Sequence, residues 1–272
     1  MPAKIIDSRQ IAQTIIERLK TEVSKLNFRP LFCDILVGSD PVSLSFVKLK
    51  GKRAEEIGLD FKMIQLSENT TTEQLIEQIE QLGREPNLSG LIVQLPLPPH
   101  IDQKKILDSI DPSLDADCLS GQSKLVPPTA GAVLTILDSL GLDLSSKQIL
   151  VVGQGELVGK PVSKLLKQRG LSIMSADRAT KNLSNLTRSA DVIISGAGQP
   201  GLIKKNSIKD GAVLIDAGTA DQAGGIVGDI DTASVSEKAS YISATPGGVG
   251  PVTVAKLLEN VVKLAKMKKK YV

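Results

Sequence analysis

Apolar side chains recur at helical spacing through residues 9–26 (RQIAQTIIERLKTEVSKL) and stop before the Asn27–Pro30 breaker, which predicts a helix. The next apolar run, LFCDILVG at 31–38, is short and closed by a glycine, as in a buried strand. Residues 43–57 return to helical spacing and end at Gly58, and DFKMIQL at 60–66 reads as a strand. A helix starts at Thr71–Thr72 and runs through Gly83, then SGLIVQLPLP at 89–98 is a strand that runs into prolines. This repeated strand–helix alternation predicts a parallel sheet with helices on its faces, an α/β protein.

The pattern breaks at residues 111–131, which hold turn formers and no long apolar period. A helix at 131–141 leads into QILVVGQGELVGKPVSKLL, a strand, a glycine turn and a helix. Further strands fit 171–175, 191–195 and 212–216. Residues 240–250 read as a Gly/Pro-rich loop and 251–268 as a terminal helix. Two α/β units result, the second starting near residue 122.

Composition narrows the chemistry. At 272 residues the chain suits two domains of ordinary size, and 41% apolar residues suffice for real cores. One histidine, His100, excludes a His-rich metal site and most Ser/His/Asp triads, and no metal is expected. Cys33 and Cys118 lie far apart and suggest no disulfide framework, as in a reducing cytoplasm. Two Tyr, four Phe and no Trp argue against stacking platforms for nucleic acid. The net charge of +3 becomes −2 without the five lysines of residues 263–272, which read as a solvated helix end opposing the dipole. No apolar run approaches a membrane span, and MPAKIIDSRQ does not read as a signal peptide.

Several positions stand out. Gly153, Gly155 and Gly159 give G-x-G-x-x-x-G between a strand and a helix, one residue longer than the dinucleotide fingerprint. Glycine there lets the backbone approach a pyrophosphate; the other reading is a tight turn without a ligand. Asp177, 24 residues after Gly153, suits a ribose 2′-OH, whereas neighbouring Arg178 suits a 2′-phosphate. Phe46 and Lys50 share a helix face near its start, where α/β ligands bind. By spacing alone Lys50 reads as one of a solvated run with Lys48, Lys52 and Arg53; beside a ligand it would act as a base. Gln94 lies inside an apolar strand end and needs partners. Asp115 and Asp117 are a carboxylate pair or simple turn residues.

Taken together these segments resemble the bifunctional methylenetetrahydrofolate dehydrogenase/cyclohydrolase family over nearly the whole chain. The family's V-G-x-[DN]-x-x-S-x-x-Y-V-x-x-K is similar to Val37–Lys50, and its G-x-x-V-Q-L-P-L-P to Gly90–Pro98. Its K-D-V-D-G loop corresponds to Leu114–Cys118, its G-R-S-x-x-V-G-x-P turn to Gly153–Pro161, and its D-V-G-I to Asp216–Thr219. Its T-P-V-P-G-G-V-G-P-M-T ending corresponds to Ser243–Thr253, with PGGVGP intact at 246–251.

The resemblance implies oxidation of 5,10-methylenetetrahydrofolate by a nicotinamide dinucleotide and hydrolysis of the methenyl product to 10-formyltetrahydrofolate. Such one-carbon chemistry serves purine and amino-acid biosynthesis. It implies Lys50 as acid–base group, Gln94 as its partner, and Asp117 as acceptor for the pterin edge. Ser43, Phe46, Pro246, Gly247, Gly248 and Pro251 would line the folate site. Gly153, Gln154, Gly155, Gly159, Asp177, Arg178 and Thr219 would hold the cofactor. It implies a catalytic domain of residues 1–121 plus 251–272, a Rossmann-like domain of residues 122–250, an active site between them, and a homodimer. Four departures stand in this chain: Phe46 replaces the tyrosine, Cys118 the loop glycine, Gln154–Gly155 the Arg-Ser pair, and Asp177–Arg178 the His-Ser pair. The last two leave NAD and NADP both open. Two narrower readings stay beside the main one: a cyclohydrolase without hydride transfer, and a non-catalytic folate- or nucleotide-binding paralogue.

Overall fold

Short apolar runs form strands and the amphipathic segments between them form helices. The computed structural model describes residues 2–222 and 225–269. Its first elements are β1 (Lys4–Ile5), α1 (Ser8–Val23), β2 (Leu31–Val37), α2 (Pro41–Glu56), β3 (Asp60–Leu66), α3 (Thr72–Gly83), β4 (Leu88–Val93) and α4 (Gln103–Ser109). Next come α5 (Pro128–Ser139), β5 (Ile149–Val152), α6 (Gly159–Gln168), β6 (Ile173–Ala176), α7 (Leu183–Ser189), β7 (Val192–Ser195) and β8 (Val213–Asp216). A hairpin of β9 (Ala220–Gln222) and β10 (Gly225–Val227), then α8 (Thr232–Val235), β11 (Tyr241–Ser243) and α9 (Val249–Lys269) follow. The chain divides into two compact units, Gln13–Pro128 with Val254–Val272, and Met1–Ala12 with Thr129–Thr253.

In the first of these units β2 is the middle of a parallel sheet ordered β3–β2–β4. A central strand of such a sheet is covered on both faces, and β2 is buried along almost its whole length. One face packs Ile35, Leu75, Leu82, Leu91 and Ile106 into a core. Helix starts are fixed by side chains: Asp40 accepts from the Ser43 N–H at 2.7 Å, Thr71 and Gln74 form a capping box, and Asp102 caps α4. A Cβ on Gly90 would lie 2.7 Å from the Val261 side chain, so this strand position admits α9 only as glycine. Two tail lysines have specific partners: Lys266 pairs with Glu22 at 2.6 Å, and Lys268 donates to the Leu88 carbonyl at 2.7 Å. The end of the predicted lysine tail, residues 270–272, lies outside the described residues.

The other unit holds a six-stranded sheet ordered β1–β11–β8–β7–β5–β6 with every pairing parallel. Two expectations change here. Residues 1–12, expected with the catalytic domain, join this unit, because β1 pairs with β11 through Lys4↔Tyr241 and Ile5↔Ile242. The expected loop at 240–250 contains β11, which pairs on both sides. Strands of two or three residues carry no readable period; their neighbours make them strands. The chain passes from β5 to β6 on one side and then crosses to β7 on the other. Strand order therefore reverses at β5, the place where α/β sheets bind ligands beyond their carboxyl ends. Among the described residues no helix is long and apolar enough to cross a membrane.

Candidate functional site

Helix α2 turns Ser43, Val47, Lys50, Gly51 and Ala54 inward. Lys50 is only 6% exposed, whereas Lys48 and Lys52 are exposed, so the solvated-run reading fails at this one position. The reason is chemical. Its Nζ donates to Gln94 Oε1 at 2.7 Å and lies 2.7 Å from Asp34 Oδ2. Gln94 follows β4; its backbone N–H donates to the Ile35 carbonyl and its Nε2 to the Leu95 carbonyl. With its amide nitrogen so occupied, the side-chain oxygen is left for the lysine. Phe46 is half-buried one turn before Lys50.

The carboxylate pair separates into two roles. Asp115 is buried and accepts from Ser120 Oγ at 2.6 Å and from the Ser120 and Leu119 N–H groups, so it shapes the loop. Asp117 is half-buried; burial pushes its carboxyl up to about 6 against the pull of Lys50, with Asp115 and Asp34 adding to the rise. Asn260 on α9 fastens the same loop, donating to the Ala116 and Val126 carbonyls at 3.0 and 2.9 Å. Cys118 has φ +61°, the left-handed region where a glycine rests without cost. Its thiol is pushed up to about 12, chiefly by burial, and stays protonated. Sequence reasoning missed Asp34, though its signal was plain: one aspartate within the apolar run LFCDILV. His100 bonds the Thr70 carbonyl, away from this group.

The remaining candidates belong to the other unit, where Gly153, Asp177, Thr219 and Pro246 follow β5, β6, β8 and β11. Two turn glycines serve packing. Gly153 has φ +86° and a Cβ there would lie 2.4 Å from the Gly196 carbonyl oxygen; a Cβ on Gly159 would lie 1.8 Å from that of Gly153. Gly155 meets nothing within 4 Å, so no protein atom demands a glycine there. Gln154 Nε2 is tied back to the Gly153 carbonyl at 3.0 Å. Exposed Asp177 accepts through Oδ1 from the Ala179 N–H and Thr180 Oγ1, beside exposed Arg178. Thr219 is exposed. Gly247 has φ +96°, and a Cβ on Gly248 would lie 2.6 Å from the Ala244 oxygen; Pro251 stands in the first turn of α9. Two buried aspartates also hold this edge. Asp229 accepts from Ser195 Oγ and the Ala197 and Gln199 N–H groups, all at 2.7 Å. Asp216 accepts from Gly218, Asp229 and Ile230, and burial pushes its carboxyl up to about 7.

Residues 6–117 match the model of the tetrahydrofolate dehydrogenase/cyclohydrolase catalytic domain, and residues 127–269 that of the family's NAD(P)-binding domain. The chain belongs to the tetrahydrofolate dehydrogenase/cyclohydrolase family. The bifunctional protein FolD of Lactobacillus gasseri is 38% identical over 275 residues, covering 97% of this chain and 98% of the relative. The solved FolD methylenetetrahydrofolate dehydrogenase/cyclohydrolase of Campylobacter jejuni is 36% identical with a TM-score of 0.92, covering 97% of this chain and 99% of that one. The Trypanosoma brucei enzyme, solved with NADP and an inhibitor, is 34% identical with a TM-score of 0.94, covering 99% of each chain.

The dehydrogenase/cyclohydrolase family's cofactor fits what the chain offers. Helix α6 starts at Gly159 without any side-chain cap on its first N–H groups, and the open side of Gly155 lies in the turn before it. An uncapped helix N-terminus next to a glycine that no packing requires suits a pyrophosphate.

Proposed function

We propose that this chain oxidises 5,10-methylenetetrahydrofolate to the methenyl cation with a nicotinamide dinucleotide and hydrolyses the cation to 10-formyltetrahydrofolate. The observation that carries the reading is a buried lysine bonded to Gln94 with Asp117 close enough to feel its charge. In hydrolysis, Lys50 Nζ takes a proton from the water that attacks the bridge carbon. It returns that proton to the ring nitrogen as the C–N bond opens, while the carbinol O–H releases its own proton to solvent to become the formyl carbonyl. Gln94 fixes Nζ, and Asp117 accepts two N–H bonds from the pterin's guanidine-like edge, a bidentate match for a carboxylate. Ser43 and Phe46, on the same helix as Lys50, line the folate site in this reading.

The dinucleotide supplies the hydride acceptor. Gly153, Gln154, Gly155, Gly159 and Thr219 hold it, with Gly155 leaving room for the pyrophosphate. The carboxylate of Asp177 keeps Oδ2 for a ribose hydroxyl, which supports NAD over NADP; Arg178 is the group that would offset its charge against a 2′-phosphate. Two free cysteines support a reducing compartment such as the cytoplasm, and assembly as a homodimer belongs to the same reading.

Mixing purified protein, methylenetetrahydrofolate and NAD or NADP tests all of this at once. The methenyl absorbance should rise and then decay, faster with NAD at matched concentrations. Lys50→Met should slow the decay at least about 100-fold, the scale of a lost acid–base group. Hydrolysis without dinucleotide turnover would instead identify a monofunctional cyclohydrolase, and binding without either turnover a non-catalytic protein.

A further inference from the structure

We propose that Asp34 is the positioning residue of Lys50, a buried counter-ion that fixes its ammonium against Gln94. The inference rests on the reading of Lys50 as the acid–base group.

Asp34 sits in the middle of β2, the central strand, between Cys33 and Ile35, and is 0% exposed. Its Oδ2 lies 2.7 Å from Lys50 Nζ as an ion pair, and neither carboxylate oxygen has a hydrogen-bond donor of good geometry among the described residues. A buried ion pair such as Asp34–Lys50 is seldom worth more to a fold than two apolar residues in its place. Packing therefore gives no reason for it, and what remains is its effect on the lysine. Its other partner, Gln94, is neutral and does not supply that effect. The ionisable groups that act on Lys50 are Asp34 from β2 and Asp117 from the loop, with Asp115 behind Asp117 and consumed by Ser120. Once Asp117 is engaged by the pterin edge, Asp34 is the negative charge left to the lysine. Burial pushes the Asp34 carboxyl up and the Lys50 ammonium draws it back.

The pH–rate profile of methenyl hydrolysis tests this, with the uncatalysed rate subtracted, for wild type, Lys50→Met, Asp34→Asn and Asp34→Leu. Without the carboxylate the limb on which kcat rises with pH should move down by about one pH unit. The plateau should fall roughly tenfold because Nζ is less well fixed. KM should stay within about threefold, since Asp34 does not reach the substrate in this reading. Each variant leaves a buried ammonium without its counter-ion and should melt below wild type, so the profiles are compared below the lowest melting transition, and Asp34→Asn, of the same shape, carries the comparison. Variant profiles that overlay the wild type, or a kcat loss that only follows a loss of melting temperature, overturn the role of Asp34 while an inactive Lys50→Met leaves the lysine's role standing. Wild-type rates in Lys50→Met, or no hydrolysis by the wild type, overturn both.

Discussion

Two alanine substitutions two residues apart should have opposite consequences. Gly153→Ala forces a β-carbon into a backbone at φ +86°, which costs about 1–2 kcal/mol. That carbon would also lie 2.4 Å from the Gly196 oxygen and 2.8 Å from the Ala197 Cα, so the ends of β5 and β7 must part, at about 1–3 kcal/mol more. A total near 3 kcal/mol corresponds to a melting temperature lower by roughly 6–12 °C. Gly155→Ala meets nothing within 4 Å and needs no left-handed backbone. Its stability should change by less than about 1 kcal/mol, tilted upward by a less flexible unfolded chain. Its methyl group enters the space assigned to the pyrophosphate, and a tenfold weaker Kd corresponds to about 1.4 kcal/mol. Calorimetric melting with and without dinucleotide separates the two cases. At a concentration 100 times the wild-type Kd, the ligand should stabilise wild type by about 2.7 kcal/mol and Gly155→Ala by only about 1.4. A Gly155→Ala protein that melts and binds as the parent does refutes the assignment of that space.

Asp117→Asn should raise KM for the folate substrate about tenfold or more, the worth of hydrogen bonds to a charged acceptor. Because the Asp117 carboxyl is pushed up to about 6, acidification from about pH 7.5 to about 5 takes away the ionised acceptor. Wild-type KM should therefore climb as pH falls across that window while Asp117→Asn stays flat; a flat wild-type curve removes the carboxylate from substrate binding. Cys118→Gly relieves a residue at φ +61° by about 1–2 kcal/mol and gives back about 0.5–1 to the unfolded chain. Its melting temperature should hold or rise slightly, whereas Cys118→Val should melt several degrees lower, and the reverse order would discount strain at this position.

The long helices and strands were legible because their periods extend over many residues, as in α1, α2 and α3. The short ones were not. β1 and β11 exist through pairing, and the seven-residue helices α4 and α7 span too few turns to show a stripe. Lys50 shows why spacing alone misjudges a site. Its neighbours Lys48 and Lys52 look identical in sequence, and only Asp34 and Gln94, 16 positions before and 44 after it, draw one of the three inward. The glycine turn divides likewise: two glycines answer to steric demand from distant backbone, and one does not.

Asn260 reaches the Ala116 and Val126 carbonyls across 144 and 134 positions of chain. During synthesis, Lys50, Gln94 and Asp117 are all made well before the residue that fastens the loop carrying Asp117. Helix α9, made after all of them, is therefore the one that completes the arrangement around the lysine. A nascent chain stalled before residue 260 would hold every proposed acid–base group with that loop unfastened.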